Sequence, residues 1–141
     1  MTTDQNNAFV KQMLNEVMNG YKLSLIDQLI APNFQHHGIP DAKGGPAGFR
    51  ETLQGFLTAF PDFHINMEHV AADGDLIATR GYWTGTNTGS FMGIPATGKK
   101  VRVDYIDFWK LQNGKAIENW VSMDMQAMMT QLGVMPAAAT A

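Results

Sequence analysis

Apolar residues recur at three- and four-residue steps through residues 8–30. Phe9, Val10, Met13, Leu14, Val17 and Met18 come first, then Leu23, Leu25, Ile26, Leu29 and Ile30 after an interruption at Asn19-Gly20. That spacing puts side chains on one face of a helix, so it predicts two helices with a turn between them. Pro32 stops the second helix, because proline lacks the amide donor and its ring collides with the preceding turn. Residues 33–38 then read as a short extended segment, followed by a loop holding Pro40, Gly44, Gly45 and Pro46. Phe49, Leu53, Phe56, Leu57 and Phe60 mark one face of a third helix that ends at Pro61. Beyond it the pattern becomes strand-like. Residues 63–72 and 76–86 read as strands joined by Asp73-Gly74, and residues 101–112 and 115–124 as strands joined by Asn113-Gly114. Both dipeptides accept the left-handed conformation that a two-residue hairpin turn requires. Residues 85–98 are rich in Gly, Thr and Asn yet hold Phe91, Met92 and Ile94, which suggests a wide loop folded back over the sheet. Residues 125–132 resemble a short last helix stopped by Gly133.

Helices followed by an antiparallel meander indicate an α+β layer fold with the helices on one face of the sheet. The 141 residues suit a single domain, 1–141, with residues 1–7 and 137–141 as flexible ends. The formal net charge of -3 and the scatter of the ten Lys and Arg residues argue against nucleic acid or an anionic membrane as partner. There is no cysteine, so disulfides, thiolate metal sites and thiol nucleophiles are excluded, in keeping with a cytoplasmic location. No apolar stretch reads as a signal peptide or membrane span.

Chemistry concentrates on the last hairpin. Strand alternation directs Val101, Val103, Tyr105, Asp107, Trp109 and Leu111 to one face, which puts Asp107 in the middle of an apolar row. With a plain two-residue turn at Asn113-Gly114, Asp107 would face Trp120, Tyr105 would face Ser122 and Val103 would face Asp124. Asp107 and Asp124 would then share a face at a diagonal separation that admits a substrate between them, whereas a bulge would shift the parity and separate them. A carboxylate among aromatic and branched side chains is disfavoured in its charged form, which tunes it toward proton transfer near neutral pH. A purely structural reading also exists: Asp107 accepts from a buried hydroxyl or from Arg80, and Asp124 caps the last helix.

Gln35-His36-His37 forms a second polar cluster on an extended segment, where adjacent side chains diverge and at most one histidine faces the pocket. Phe34, Trp109, Trp120 and Phe91 complete the expected apolar lining. His64 and His69, five apart on a presumed strand, face opposite ways, so no metal site is expected. Met123, Met125, Met128, Met129 and Met135 suit adaptable packing or a flexible apolar ligand. The Gly85-Thr86-Asn87-Thr88-Gly89 stretch lacks the lysine of a phosphate loop.

Several motifs occur in a characteristic order: Gly45-Pro46 opening a helix, Ala59-Phe60-Pro61-Asp62, Asp73-Gly74-Asp75, Gly85-Thr86-Asn87-Thr88-Gly89, and Phe91-Met92-Gly93-Ile94-Pro95-Ala96-Thr97-Gly98. Asn113-Gly114-Lys115, Glu118-Asn119-Trp120, Asp124 and Gln131-Leu132-Gly133 follow. Together they resemble the SnoaL-like polyketide cyclase and ester cyclase group of the NTF2-like superfamily, over about Phe9 to Gly133. The resemblance implies a cone: a curved, mostly antiparallel sheet with N-terminal helices on its concave face, enclosing an apolar cavity. It implies a homodimer, a hydrophobic small-molecule ligand, and no metal or organic cofactor. In the family's cyclases an aspartate after the last strand is the acid–base residue of an intramolecular aldol condensation, and that position corresponds to Asp124. The family's histidine on the preceding strand falls at Asp107, a glutamine falls at Tyr105 and an asparagine at His36, while many members carry a histidine at the place of His37. The function so implied is cofactor-independent acid–base catalysis by an aspartate on a hydrophobic substrate, by aldol cyclisation, isomerisation or hydration. A non-catalytic ligand-binding or dimerisation module is the alternative.

Overall fold

The structure, a computed structural model, describes residues 3–134. Met135 and the expected flexible end at residues 137–141 lie outside the described residues. Strands β2 (His64–Asp73), β3 (Leu76–Thr86), β4 (Lys100–Gln112) and β5 (Lys115–Met123) form the antiparallel meander anticipated from the two turn dipeptides. Asn113 and Gly114, at φ 53° and 79°, close the last hairpin in left-handed geometry. Strand β1 (Ile30–His37) adds in parallel beside β5, giving the order β1-β5-β4-β3-β2 in a curved, unclosed sheet.

Helix α1 (Thr3–Lys11) widens into π-helical turns over Gln12–Met18, and α3 (Gly45–Ala59) starts with proline in its first turn, where the missing amide costs nothing. Phe9, Val10, Met13, Leu14 and Val17 of the first segment are buried, as are Phe49, Leu53, Phe56 and Ala59 of α3. They meet the odd-numbered side chains of β3 and β4, among them Ile77, Trp83, Val103, Tyr105 and Trp109. Helix α4 (Met125–Leu132) closes the chain and ends at Gly133, whose φ of 77° forms the left-handed cap.

The chain is helical from Thr3, and Asn6, only 2% exposed, donates from its side-chain amide to the Gly74 carbonyl at 3.1 Å. Four expectations need correction. The second predicted helix shrinks to a 3₁₀ turn at Leu23–Leu25 and a single turn, α2 (Ile26–Leu29). Ile30 is already extended, and Pro32 sits inside β1 rather than ending a helix, in the stretch where the register with β5 shifts between Ile30 and Gln35. An edge strand at an irregular pairing is where a residue without an N–H is tolerated.

The third correction concerns the last hairpin. Gln112 pairs with Lys115 and Leu111 with Ala116 as expected, but Lys110 pairs with Glu118, leaving Ile117 as an extra residue. This bulge moves every later β5 residue to the other face, so Asp107 pairs with Val121, Phe108 with Trp120 and Tyr105 with Met123. A bulge in β2 between Met67 and His69 has the same effect there. His64 pairs with Thr84 and His69 with Arg80, so these two histidines lie on one face rather than on opposite ones.

The 85–98 loop folds back, but its contacts are with the C-terminal end of α3 where a cover over the sheet was expected. Buried Phe91 packs on Phe56 and Phe60 at centroid distances of 5.2 and 5.6 Å. Asn87, also buried, ties the loop: its amide donates to the Gly89 carbonyl at 2.8 Å, and its Oδ1 accepts from the Thr97 amide and hydroxyl at 2.8 and 2.9 Å. Truncation would strand these groups out of water. Asn87→Ala is expected to lower the unfolding free energy by about 3 kcal/mol in urea denaturation.

Candidate functional site

A cavity of about 60 Å³ lies between α3 and the helix-covered face of the sheet. Most of its wall is apolar: Phe49, Leu53 and Phe56 from α3, Ile65 and Trp83 from β2 and β3, and Met18, Val121 and Met123. Five polar side chains line it, namely His36 from β1, Thr52 from α3, Tyr105 and Asp107 from β4, and Asn119 from β5. Tyr105 and Asp107 are two apart on one strand and so share its inner face. His36 and Asn119 are register partners across the parallel β1–β5 pair, and the β5 bulge turns Asn119 inward opposite Trp109.

Asp107 is 7% exposed, and burial among apolar groups pushes its carboxyl up to about 6. Thr79, which donates its hydroxyl to Asp107, opposes that shift, as do the neighbouring Asn119 and Trp109 side chains, but desolvation outweighs them. The Thr79 oxygen also lies 3.4 Å from the Tyr105 hydroxyl. Burial raises Tyr105 to about 12, so at neutral pH it is a hydrogen-bond donor. His36 is lowered to about 4, chiefly by desolvation, with Asn119 opposing and His37 adding to the fall. It is therefore neutral at pH 7, and its Nδ1 is buried with no hydrogen-bond partner among the described residues. Asn119, 1% exposed, spends one amide hydrogen on the Phe108 carbonyl at 2.9 Å and favours the charged forms of both His36 and Asp107.

Of the residues singled out in the sequence, Asp107, Tyr105 and His36 come together in this cavity. Phe34 and Trp109 are buried behind its wall, where Phe49 packs on both at 5.8 and 6.1 Å between centroids. Phe91 supports the other end through Phe56. His37 and Trp120 do not enter. They stack on the opposite face of the sheet at 5.7 Å, and His37 Nε2 lies 2.6 Å from Glu118 Oε2. Asp124 does not join Asp107 either. It is exposed and caps α4, its Oδ1 accepting from the Ala127 N–H at 3.0 Å. The expected shared face of the two aspartates is thus overturned by the single extra residue in β5. Thr79 and Asn119 had not been singled out as site residues. A signal for Asn119 existed: Ile117, Asn119, Val121 and Met123 make a more apolar alternate row than Glu118, Trp120, Ser122 and Asp124. Among the described residues, no three His, Asp or Glu side chains converge as metal ligands. Nor is any helix among them long and apolar enough to cross a membrane.

The sequence profile of a family described as SnoaL-like polyketide cyclase matches residues 8–132. The chain belongs to that family. Structural likeness extends over nearly the whole chain. TsrD from Streptomyces laurentii superposes with a TM-score of 0.87 at 22% identity, covering 96% of this chain and 99% of its own. AclR from Streptomyces galilaeus, a proposed hydroxylase, gives 0.84 at 27% identity over 99% of this chain and 87% of its own. IdmH from Streptomyces antibioticus, a proposed polyketide cyclase, gives 0.77 at 26% over 91% and 98%. No protein of curated function matches the chain. The SnoaL-like family takes small hydrophobic substrates, and the likeness supports a cyclase-type function in general terms.

The two shifted groups act oppositely on stability. Between 3.8 and about 6 the folded protein keeps a proton on Asp107 that the unfolded chain has lost, so rising pH destabilises the fold through this window. Between 6.5 and about 4 the unfolded chain protonates His36 while the folded protein does not, so falling pH destabilises it. The slopes largely cancel where the windows overlap. Asp107→Asn should therefore raise the unfolding free energy at neutral pH by about 2 kcal/mol. It should also uncover a decline in stability as pH falls from 6.5 toward 4, against a flatter wild-type profile, both measurable by urea denaturation across that range.

Proposed function

We propose that the protein is a cofactor-independent, cyclase-type enzyme in which Asp107 removes and returns a proton next to a substrate carbonyl. What supports this reading is a carboxylate buried in an apolar cavity beside two neutral donors, Tyr105 and His36. At neutral pH the ionised Asp107 takes the α-proton, and the electron pair of the broken C–H bond moves onto the carbonyl oxygen. The developing enolate accepts hydrogen bonds from the Tyr105 hydroxyl and from a His36 ring N–H, donors already oriented before charge appears. The enolate carbon then attacks a second carbonyl of the same molecule, and protonated Asp107 returns its proton to the alkoxide. Isomerisation uses the same first step and returns the proton to carbon instead. Asp124 has no part in this scheme and acts as the cap of α4.

Deuterium exchange into the α-positions of cyclohexanone, followed by NMR, tests the proton transfer. The wild type should accelerate it with an acid limb near Asp107's value of about 6. Asp107→Asn should lose about 100-fold or more, while Asp124→Asn, an equally good cap, should stay within about twofold. Full activity in Asp107→Asn together with loss in Asp124→Asn would reverse the assignment. Saturable ketone binding without any accelerated exchange would favour the non-catalytic binding module.

We also infer a homodimer formed through the uncovered sheet face. Ile106, Phe108 and Trp120 lie there 53%, 46% and 38% exposed, an apolar cluster of the kind association removes from water. Sedimentation should show a dimer for the wild type and a monomer for Phe108→Arg; a monomeric wild type would refute the arrangement.

A further inference from the structure

The inner cavity is too small for a substrate of ordinary size. At about 60 Å³ it holds the equivalent of about five waters, enough for the reacting end of a molecule and little more. Across Ile39, Thr52 and Phe56, which line both spaces, lies a groove of about 530 Å³. One wall is the outer stripe of α3, with Glu51, Gly55 and Thr58 spaced four and three residues apart; the facing wall includes Ser90 and Met92 of the 85–98 loop.

Gly55 is the unusual member. It sits inside a 15-residue helix, where glycine costs about 0.5–1 kcal/mol relative to alanine, and a Cβ built there would meet nothing within 4 Å. Helix packing therefore gives no reason for the missing side chain. The space it leaves open belongs to the groove. The rim carries two further local costs, since Asp41 and Met92, both lining the groove, hold left-handed φ values of 61° and 50° without being glycine. Backbone strain of this sort gathers at ligand-holding segments.

We propose that this groove is the second half of the substrate site and that Gly55 is its specificity-determining position. The substrate class is an elongated carbonyl compound of at least two rings' length: its ketone end enters the inner cavity, and its distal part lies along α3 against Met92 and Phe91. Polar substituents on that distal part meet Thr58, Ser90 and the Lys43–Glu51 pair, whose charged atoms are 3.8 Å apart. The proposal rests on the reading of the inner cavity as the place where the carbonyl reacts.

Prodan is a suitable probe, being a naphthalene with a propionyl ketone at one end and a dimethylamino group at the other. Fluorescence titration should show it bound by the wild type and displaced by cyclohexanone, which fits the inner cavity alone. Gly55→Leu should weaken prodan about tenfold or more, and this loss should exceed any loss of cyclohexanone affinity, read by NMR titration, at least about fivefold. Gly55→Ala should raise Tm by about 3 °C through helix propensity. Ser90→Trp, which narrows the groove from the facing wall, should reproduce the Gly55→Leu effect without touching the helix. Prodan that ignores the wild type, binds the Gly55→Leu and Ser90→Trp proteins as tightly as the wild type, or resists cyclohexanone overturns the proposal. These readouts involve no turnover, so an Asp107→Asn protein that remained active would defeat the acid–base reading while leaving the groove result standing.

Discussion

Between the Asn113-Gly114 turn and the cavity, β5 spends two residues, Ile117 and Glu118, where β4 advances from Leu111 to Lys110, and the composition of the site follows from that mismatch. Side chains on a strand alternate with a period of two, so one extra residue exchanges the inner and outer rows completely. Asn119, Val121 and Met123 turn toward the helices, while Trp120, Ser122 and Asp124 turn away. The edge strand inherits the choice. In the parallel β1–β5 register His36 stands beside Asn119 and His37 beside Trp120, so one histidine is drawn into the apolar interior and its neighbour is left on the outer face with Glu118.

Once the register places Asp107 inward, the rest of the interior has to hold a group that resists being there. Two aromatic assemblies frame the cavity: Phe9, Phe34, Phe49 and Trp109 at one end, and Phe56, Phe60, Phe63, Phe91 and Trp83 at the other. Burial among these rings disfavours charge, which raises Asp107, keeps Tyr105 protonated and keeps His36 neutral. A single cause thus sets three protonation states. It leaves one base and two neutral donors at pH 7, a distribution that the same residues would not have in water, where His36 would titrate close to neutrality. The fold gives up stability to ionise Asp107 at neutral pH, and a group destabilised in this way is more basic than a free carboxylate.

What the sequence made legible follows the strength of local signals. Asp73-Gly74 and Asn113-Gly114 name their turns because few residues accept the backbone those turns need, and α3 announces itself by five apolar residues on one face and a closing proline. The stretch around Leu29 and Pro32 misled because a helical spacing of apolar residues does not say where an edge strand begins, and pairing with β5 overrode it. The hairpin register departs from the simple expectation for a different reason. Turn chemistry fixes the pairing only next to the turn, and the bulge lies beyond Leu111 and Ala116. Trp120 also looks like a core residue by composition although it is 38% exposed, and Asn119 looks like a surface one although it is 1% exposed. Comparing whole alternate rows, rather than single residues, contains the correct answer.

The resemblance to the SnoaL-like cyclases implies a histidine where β4 carries Asp107, so β4 itself offers no imidazole donor. The geometry supplies the missing imidazole from elsewhere: His36 on β1 reaches the same cavity through the Asn119 register, and Asn119 influences both groups. Carboxylate and histidine are then contributed by β4 and β1. On the reading proposed above, the chemical requirement is a base of moderate strength next to neutral donors in an apolar cavity, and no particular strand has to provide each part. A carboxyl placed at another inward position as buried as Asp107, such as Val103 or Trp109, meets the same desolvation and is raised in the same direction. On that reading the fold can carry an acid–base pair in more than one arrangement while leaving the helices, the bulge and the aromatic walls as they are.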